Sequence, residues 1–240
     1  MQPIVITAAT FRELELLAVA SGCSAPLGGG GPGRGIPCHL AGKEVILAVT
    51  GLGKVNTGSA ITALIERHSP RLIINTGCAG AYAGSGLDVG SLAVATSAVY
   101  GDDGVFTPEG WETLDKIGIP LLESGGRRYF NEFPLAQNLA EQAIRLAQAK
   151  GLDLRAGRFV TVSSCSGTTV RGNELAARFG AICEDMEGAA AAHVALLYGL
   201  DCLEIRGISN AVEDRDISKW NIGLAVENAQ RFILSFIEEF

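Results

Sequence analysis

The stretch of residues 182–216 constrains the fold of this chain more than any other segment. Residues 189–198 form an alanine-rich run, and a glycine follows at the position where glycine commonly ends a helix. Residues 200–208 then have the short apolar pattern of a buried strand, interrupted by Glu204 and Arg206. A helix that leads directly into a buried strand predicts a layered α/β structure.

Polar side chains flank this helix and strand. Asp185 and Glu187 lie where the helix should begin, and Ser209 and Asn210 lie where the strand should finish. Acidic groups at a helix N-terminus and an amide at the carboxyl end of a strand are where α/β proteins gather polar groups around a ligand. A capped helix and an ordinary loop would explain each piece alone. Both pieces together, with features of the N-terminal half, favour a binding site.

The rest of the chain continues the alternation of strands and helices. The apolar patterns predict further strands at residues 3–9, 44–50, 71–75, 91–99 and 158–164, and helices at residues 11–20, 54–67, 134–150 and 219–240. The chain shows no internal repeat and no break in composition, so we expect a single domain over residues 1–240. Its functional face should lie at the carboxyl ends of the strands.

Two segments lie outside this alternation. Residues 28–35 are rich in glycine but lack the Lys-Ser/Thr pair of a phosphate-binding loop, and they predict a hairpin or surface loop. Residues 102–119 are polar and interrupted yet contain aromatic side chains. Because the segment is too long for a bare connection, we expect an ordered excursion over the cleft.

Composition excludes several classes of protein. With 48% hydrophobic and 19% charged residues the chain should be globular, and a net charge of −7 argues against binding nucleic acid or anionic membranes. It has no apolar run long enough to span a membrane and no basic region typical of a signal peptide, so a cytoplasmic protein is expected. The six cysteines form no C-x-x-C pair and should be reduced, and the three histidines lack metal-ligand spacing. We therefore expect neither a metal nor an organic cofactor.

Glu13 supports two interpretations. Thr10 followed three residues later by Glu13 is a capping-box pattern, which would give the carboxylate a structural role at the start of a helix. The same carboxylate follows the first strand and would face the cleft above the sheet. The two interpretations do not exclude each other, and the spacing leaves both open.

A small-residue segment follows the strand predicted at residues 71–75. Cys78, Ala79 and Gly80 belong to it, and their small side chains would let the backbone contact a ligand closely. A plain tight turn is the alternative. Gly51 and Gly53 form a similar turn before the helix predicted at residues 54–67, although this pattern is weak by itself.

The order of these motifs resembles the nucleoside phosphorylase and nucleosidase superfamily. Glu13 is followed by TGLGKVN, INTGCAG, SSCSGT, EDMEG and EIRGISN, so the resemblance covers nearly the whole chain. It implies a single three-layer α/β/α domain with a central mixed sheet. Residues 100–121 and the segment ISNAVEDRD resemble the futalosine hydrolases, which split the N-glycosidic bond of futalosine and release hypoxanthine in the alternative menaquinone pathway.

The resemblance implies a role for several residues. Glu13 matches the carboxylate that activates the attacking water, and Glu187 matches the one that accepts hydrogen bonds from the ribose hydroxyls. Met186 would pack beneath the sugar. Asn210, which follows Ser209, matches the position that contacts the base. Homo-oligomers are common in the superfamily, so a homo-oligomer is expected here too.

Asn210 and Cys78 depart from the pattern of related enzymes. Relatives that cleave adenine nucleosides carry aspartate where this chain has Asn210. An amide can donate to O6 of a 6-oxopurine and accept from a protonated N7, so Asn210 predicts hypoxanthine over adenine. Cys78 occupies a position that is often serine, and no hydroxyl role is transferred to it.

Three further choices depend on charged residues. Phosphorylases of the superfamily carry a phosphate-binding arginine on the strand before the small-residue segment, whereas INTGCAG has none, which favours hydrolysis. The carboxylate on the 5′ group of futalosine would need a cation, and Arg127, Arg128 and Lys54 are the open candidates. A methylthioadenosine/S-adenosylhomocysteine nucleosidase and a non-catalytic nucleoside-binding protein remain the alternatives, and the presence of Glu13 disfavours the second.

Overall fold

A mixed sheet lies at the centre of the structure, a computed structural model that describes residues 2–23 and 33–240. The strands of this part of the chain are β1 (Ile4–Ala8), β2 (Ile36–Leu40), β3 (Lys43–Val49), β4 (Leu72–Ala81), β5 (Leu92–Tyr100), β6 (Gly104–Thr107), β7 (Gly110–Thr113), β8 (Leu122–Ser124), β9 (Arg127–Tyr129), β10 (Glu132–Pro134), β11 (Leu154–Thr161), β12 (Ala181–Asp185) and β13 (Asp201–Ala211). Its α-helices are α1 (Glu15–Ala20), α2 (Lys54–His68), α3 (Gln137–Ala149), α4 (Thr169–Phe179), α5 (Gly188–Leu197) and α6 (Ile222–Glu239). Short 3₁₀ turns occur at Phe11–Glu13, Leu114–Lys116 and Ile217–Lys219.

Nine of the described strands form the central sheet, in the order β10-β5-β11-β12-β4-β1-β3-β2. The ninth, β13, is parallel to β4 and antiparallel to β5. Because β5 pairs with β11, β11 with β12, and β12 with β4, the pairing of β13 with both β4 and β5 closes these strands into a ring. Strands β1, β3 and β2 extend from this ring as an open sheet. The parallel pairs β1–β3 and β1–β4 and the antiparallel pair β12–β4 make the sheet mixed, as predicted.

Helices cover both faces of the sheet and give it three layers. Along β1, Ile4 and Ile6 pack in a core with α1, α3 and α6, whereas Val5 between them packs in a second core with α2 and α5. Alternation along a strand explains this division, because successive side chains point to opposite faces. The alanines at the start of α5 are almost fully buried, and their small side chains let the helix lie close to the sheet. The predicted three-layer α/β/α arrangement is confirmed.

Two strands are longer than the sequence indicated. The segment of residues 76–80, predicted as a loop after the strand with a tight turn as the alternative, is part of β4, and Ser209 and Asn210 lie within β13, not after it. Both segments stay extended because β13 pairs with β4 as far as Ala81, and β12 pairs with β4 from its other side. The prediction of a loop at residues 76–80, and its alternative of a tight turn, were therefore wrong. Gly77 and Gly80 leave room for neighbouring side chains, since a Cβ atom would lie 2.5 Å from Glu13 Oε1 at the first and 2.9 Å from Val212 Cγ2 at the second.

The structure also contains elements that the sequence did not predict, and it places one predicted segment away from the cavity. Helix α4 and strands β2 and β12 were missed. Residues 102–119 form the β6–β7 hairpin and a 3₁₀ turn, and Trp111 packs edge-on against Phe179 of α4. None of these residues lines the cavity described below, so the expected cover over the cleft is not found there. Of the predicted glycine-rich loop, residues 28–32 lie outside the described residues.

Two cysteines and His193 pack against other side chains of the fold. Cys183 and Cys202 are buried in the core. His193 is partly buried and stacks on Phe133 with ring centroids 4.2 Å apart. Its Nδ1 lies 3.3 Å from the Tyr100 hydroxyl, and burial lowers its pKa. Within residues 2–23 and 33–240, no helix has the length and apolar character to cross a membrane.

Candidate active site

A cavity of ≈ 280 Å³ opens where β4, β12 and β13 approach their carboxyl ends. Eight of the residues that the sequence singled out for a site line this cavity: Glu13, Cys78, Ala79, Gly80, Met186, Glu187, Ser209 and Asn210. They come from four separate parts of the chain. The topology of the sheet therefore brings together side chains that the sequence could only place one motif at a time.

Glu13 caps the first helical turn and lines the cavity at the same time. Its Oε2 accepts hydrogen bonds from the Thr10 amide, at 2.9 Å, and from the Thr10 hydroxyl, at 2.8 Å. Its Oε1 accepts one from the Cys78 amide at 3.1 Å. A Cβ atom on Gly77 would lie 2.5 Å from Oε1, so only glycine fits beside this carboxylate. The geometry is compatible with both interpretations of Glu13.

A second group of carboxylates surrounds one buried guanidinium. Arg206 is 1% exposed, and its Nε donates to Glu204 at 2.9 Å. Its Nη1 lies 3.3 Å from Glu187, and its Nη2 lies 3.7 Å from Asp185. We call these residues, with Glu13, the Arg206 cluster. The four carboxylates share one cation, which raises the pKa of Arg206 well above its usual value even though burial opposes its charge.

The Arg206 cluster carries more carboxylates than its cation can neutralise. Burial, reinforced by the charge of Asp185, raises the pKa of Glu204 to about 8. Burial also raises the pKa of Glu187, an effect that Arg206 partly offsets. Glu204 Oε2 and Asp185 Oδ2 have no hydrogen-bond partner among the described residues. Glu204 therefore keeps a proton at neutral pH, which reduces the repulsion inside the cluster.

Glu187 is held by the turn before α2 and by the start of α5. Its Oε1 accepts a hydrogen bond from the Gly53 amide at 2.9 Å, so the glycine turn supports a carboxylate of the protein itself. Asp185 Oδ1 accepts from the amides of Glu187 and Gly188, at 2.8 and 2.7 Å. Since Asp185 satisfies these first amides of α5, the Glu187 side chain is left to line the cavity.

Asn210 lies at the other side of the cavity, where β13 is irregular. The register between β13 and β4 shifts between Ile208 and Asn210, so Ser209 is an inserted residue. Such a bulge lets two adjacent side chains line one cavity, which a regular strand would not allow. The Ser209 hydroxyl lies 2.7 Å from Asn210 Oδ1, and Asn210 Nδ2 donates to the Ala211 carbonyl at 2.9 Å. The amide keeps a free hydrogen and a free lone pair.

Glu184 is a cavity residue that sequence reasoning missed. It is 6% exposed, and it accepts hydrogen bonds from the Ser166 amide at 2.8 Å, the Ser166 hydroxyl at 2.6 Å and the Tyr82 hydroxyl at 3.1 Å. We call Tyr82, Ser166, Glu184, Ser209 and Asn210 the Asn210 end. The available signal was that a charged residue directly follows the apolar residues 181–183 and precedes Asp185. It was not used, because β12 itself was not predicted.

Cys78 is a wall residue with an unreactive thiol. Burial, with a further contribution from the charge of Glu13, raises the pKa of Cys78 to about 11. The thiol therefore stays protonated near neutral pH, and the thiolate is the nucleophilic form of cysteine. Its amide, which donates to Glu13, is the part of Cys78 that contributes to the site.

The cations suggested for a 5′ carboxylate do not line the cavity. Lys54 is paired with Asp102 and Asp103, and Arg128 lies 3.3 Å from Glu123; Arg127 is exposed on β9. Arg12 lines the cavity instead, with an exposed side chain that makes no ion pair to any described residue. The three cations that the sequence left as candidates therefore lie outside the cavity lining, whereas Arg12, which was not among them, lies within it.

Apolar residues accompany Arg12 at the mouth of the cavity. Trp220 and Ile222, which lie before and at the start of α6, form part of the wall. Leu52, from the turn before α2, also lines the cavity and is 60% exposed. A Cβ atom on Gly223 would lie 3.1 Å from Arg12 Nη2, so this glycine leaves space for the guanidinium. The mouth can therefore accept an apolar group that ends in a negative charge.

Known proteins are similar to this chain over most of its length. The sequence profile of the phosphorylase superfamily matches residues 3–238. Futalosine hydrolase from Thermus thermophilus is 34% identical over 200 residues, which are 83% of this chain and 84% of that protein. The 5′-methylthioadenosine/S-adenosylhomocysteine nucleosidase of Geobacillus thermodenitrificans is 29% identical over 239 residues, which are 98% of this chain and 92% of that protein.

Solved structures share the fold at lower sequence identity. A complex of the Neisseria meningitidis 5′-methylthioadenosine/S-adenosylhomocysteine nucleosidase with methylthio-immucillin-A has a TM-score of 0.84, with 23% identity and coverage of 100% of both chains. A mutant futalosine hydrolase of Helicobacter pylori has a TM-score of 0.82, with 23% identity and coverage of 100% of both chains. At this identity the two structures establish the likeness of fold.

Proposed function

Because this chain belongs to the phosphorylase superfamily, we propose that it hydrolyses the N-glycosidic bond of futalosine and releases hypoxanthine, as an enzyme of the alternative menaquinone pathway. The observation that carries the proposal is the presence of Glu13 and Asn210 in one cavity, with an amide, not a carboxylate, at the second position. The similarity to the Thermus thermophilus futalosine hydrolase supports it.

Glu13 is the proposed base. Cleavage of a ribosyl C–N bond produces an oxocarbenium-like sugar and an anionic purine, and the enzyme must stabilise both. A lone pair on Glu13 Oε1 remains after the bond from the Cys78 amide, and it can take a proton from the attacking water. The negative charge also opposes the positive charge that develops at C1′.

The ribose and the base are bound by different residues. Glu187 accepts hydrogen bonds from the ribose hydroxyls, and Met186 packs beneath the sugar, which fixes C1′ near the water. Asn210 donates to O6 of the anionic purine, which takes up a proton from solvent at N7, and the amide oxygen then accepts from this N7–H. Ser209 orients the amide, since its hydroxyl lies 2.7 Å from Asn210 Oδ1. The wall of Cys78, Ala79 and Gly80 completes the cavity.

Arg12 is the proposed partner of the 5′ carboxylate. The aromatic ring of the futalosine side chain would contact Trp220 and Ile222, and its carboxylate would reach the guanidinium. Hydrolysis is favoured over phosphorolysis because Arg206 is 1% exposed and already paired with carboxylates. Arg206 is therefore not available as a phosphate ligand.

We expect the protein to act in the cytoplasm as a homo-oligomer. Leu52, which lines the cavity, and Val55, three residues further along the chain, are exposed apolar side chains that a neighbouring subunit could cover. Light scattering coupled to size exclusion tests this expectation. A monomer at micromolar concentration would contradict it.

The reaction is tested by incubating the protein with futalosine, inosine and methylthioadenosine, with and without inorganic phosphate. We expect hypoxanthine from futalosine at a rate that does not depend on phosphate. Faster release of adenine from methylthioadenosine would support the alternative nucleosidase, and ribose 1-phosphate as product would support a phosphorylase. Binding without release of any base would indicate a non-catalytic nucleoside-binding protein.

A further inference from the structure

Glu184 is a buried carboxylate in the cavity wall for which the reaction proposed above has no use. We propose that Glu184 accepts a hydrogen bond from N1–H of the base and, with Asn210, restricts the enzyme to 6-oxopurines. The inference rests on the proposed function, because it concerns the purine of the same substrate. It assigns a specificity-determining residue to that site.

The sheet places Glu184 and Asn210 on opposite sides of one glycine. Gly80 on β4 is the register partner of Glu184 on β12 and of Asn210 on β13. A Cβ atom on Gly80 would lie 3.3 Å from Asn210 Nδ2 and 3.7 Å from Glu184 Cγ, so both side chains lie on the face that this Cβ would occupy. Neighbouring strands are about 4.8 Å apart, so their backbones are separated by about 10 Å across Gly80.

The carboxylate of Glu184 still has capacity to accept a hydrogen bond. Its Oε2 receives the hydroxyls of Ser166 and Tyr82, whereas its Oε1 receives only the Ser166 amide within the described chain. A carboxylate oxygen can accept two hydrogen bonds, so one position on Oε1 is open. All of these donors are neutral, and no described cation lies within ion-pair distance of Glu184. Glu184 lines the cavity, where a bound nucleobase could supply this hydrogen bond.

The chemistry of the two purine classes differs at this edge. A 6-oxopurine carries a hydrogen on N1 and an acceptor at O6, whereas a 6-aminopurine carries a lone pair on N1. A carboxylate at N1 therefore attracts the first and repels the second. N1 and N7 lie on opposite sides of C6, as Glu184 and Asn210 lie on opposite sides of Gly80. The two side chains would thus select the same base from both of its edges.

The test is the ratio of kcat/KM for futalosine to kcat/KM for its 6-amino analogue. Glu184→Gln should lower this ratio about 10²-fold, because an amide removes the repulsion and can donate to the N1 lone pair. Glu141→Gln on the exposed face of α3 is the matched control and should leave the ratio unchanged. Circular dichroism and thermal melting establish that both variants fold.

A measurement on the unmodified protein covers the case in which the variant does not fold. Inhibition by hypoxanthine should exceed inhibition by 1-methylhypoxanthine at least tenfold, because the methyl group replaces the hydrogen that Glu184 would accept. An unchanged substrate ratio in a folded variant, or equal inhibition by the two bases, overturns the role of Glu184 while futalosine cleavage stands. If the unmodified protein cleaves neither nucleoside, the proposed function fails first and this inference with it.

Discussion

The Arg206 cluster and the Asn210 end both hold buried carboxylates, but they stabilise them differently. In the Arg206 cluster, a guanidinium and a retained proton on Glu204 compensate the charges of Asp185 and Glu187. At the Asn210 end, the hydroxyls of Ser166 and Tyr82 and one amide hold Glu184 without any cation. The first arrangement can stay anionic next to a developing oxocarbenium ion. The second leaves a carboxylate whose hydrogen-bonding preference can select a base.

Replacing Glu13 should produce the largest loss of activity, and it addresses the chemical half of this comparison. Glu13→Gln keeps the size of the side chain but removes the base, so we expect kcat/KM for futalosine to fall about 10³-fold. Inhibition by hypoxanthine should be unchanged, because the proposed binding site of the nucleobase lies at the other side of the cavity, next to Asn210. Glu15→Gln, exposed on α1, is the control. A loss smaller than tenfold would mean that another group activates the water.

Exchange of the amide at the Asn210 end should have the next largest effect. Asn210→Asp places a carboxylate against O6, so kcat/KM for futalosine should fall about 10²-fold, an increase of roughly 3 kcal/mol in the barrier. Asn138→Asp on α3 is exposed and serves as the control. Steady-state kinetics on both variants give the comparison. Unchanged activity would show that residue 210 does not contact the base, and the assignment of the substrate would lose its main support.

The sequence predicted the members of the site better than their arrangement. The residues at motif positions, such as Glu13, Glu187 and Asn210, all line the cavity, because each lies near a strand end or helix start that short-range patterns indicate. Glu184 and the closing of the ring by β13 depend on strand pairings between distant segments. The bulge at Ser209 depends on register, which no local pattern encodes.

The cation at the cavity mouth shows the same limit from another side. Arg127 and Arg128 are conspicuous as a pair in the sequence, whereas no motif in the sequence sets Arg12 apart. Its position next to Trp220 depends on the packing of α6 against the first helical turn, a contact between the two ends of the chain. Rules based on the spacing of residues cannot predict a contact between segments so far apart in the sequence.

Removal of the Arg12 charge should have a smaller effect that depends on the substrate. Arg12→Met should raise the KM for futalosine about tenfold at low ionic strength, because an exposed guanidinium contributes less than a buried one. Inosine lacks the 5′ carboxylate, so its KM should not change. Arg127→Met is the matched control on β9 and should affect neither substrate. Equal effects of Arg12→Met on both substrates would exclude a role in binding the carboxylate.

A change in stability, not in activity, tests the retained proton of the Arg206 cluster. The pKa of Glu204 rises from 4.5 to about 8 on folding, chiefly because the side chain is buried. Between these values the folded state binds more protons than the unfolded state, so the free energy of unfolding should fall as pH rises, by about 1 kcal/mol per pH unit. Glu204→Gln has no proton to lose.

Denaturant titrations between pH 5 and pH 8 should therefore show a flatter pH dependence for Glu204→Gln than for the unmodified protein. Glu141→Gln should leave the pH dependence unchanged, because its side chain is exposed on α3. Equal slopes for Glu204→Gln and the unmodified protein would mean that Glu204 is ionised beside Asp185 and that Arg206 alone compensates the cluster. The two regions would then differ only in the identity of their donors. A flatter slope instead locates the compensating proton on the fully buried Glu204, where it keeps Arg206 available to Glu187.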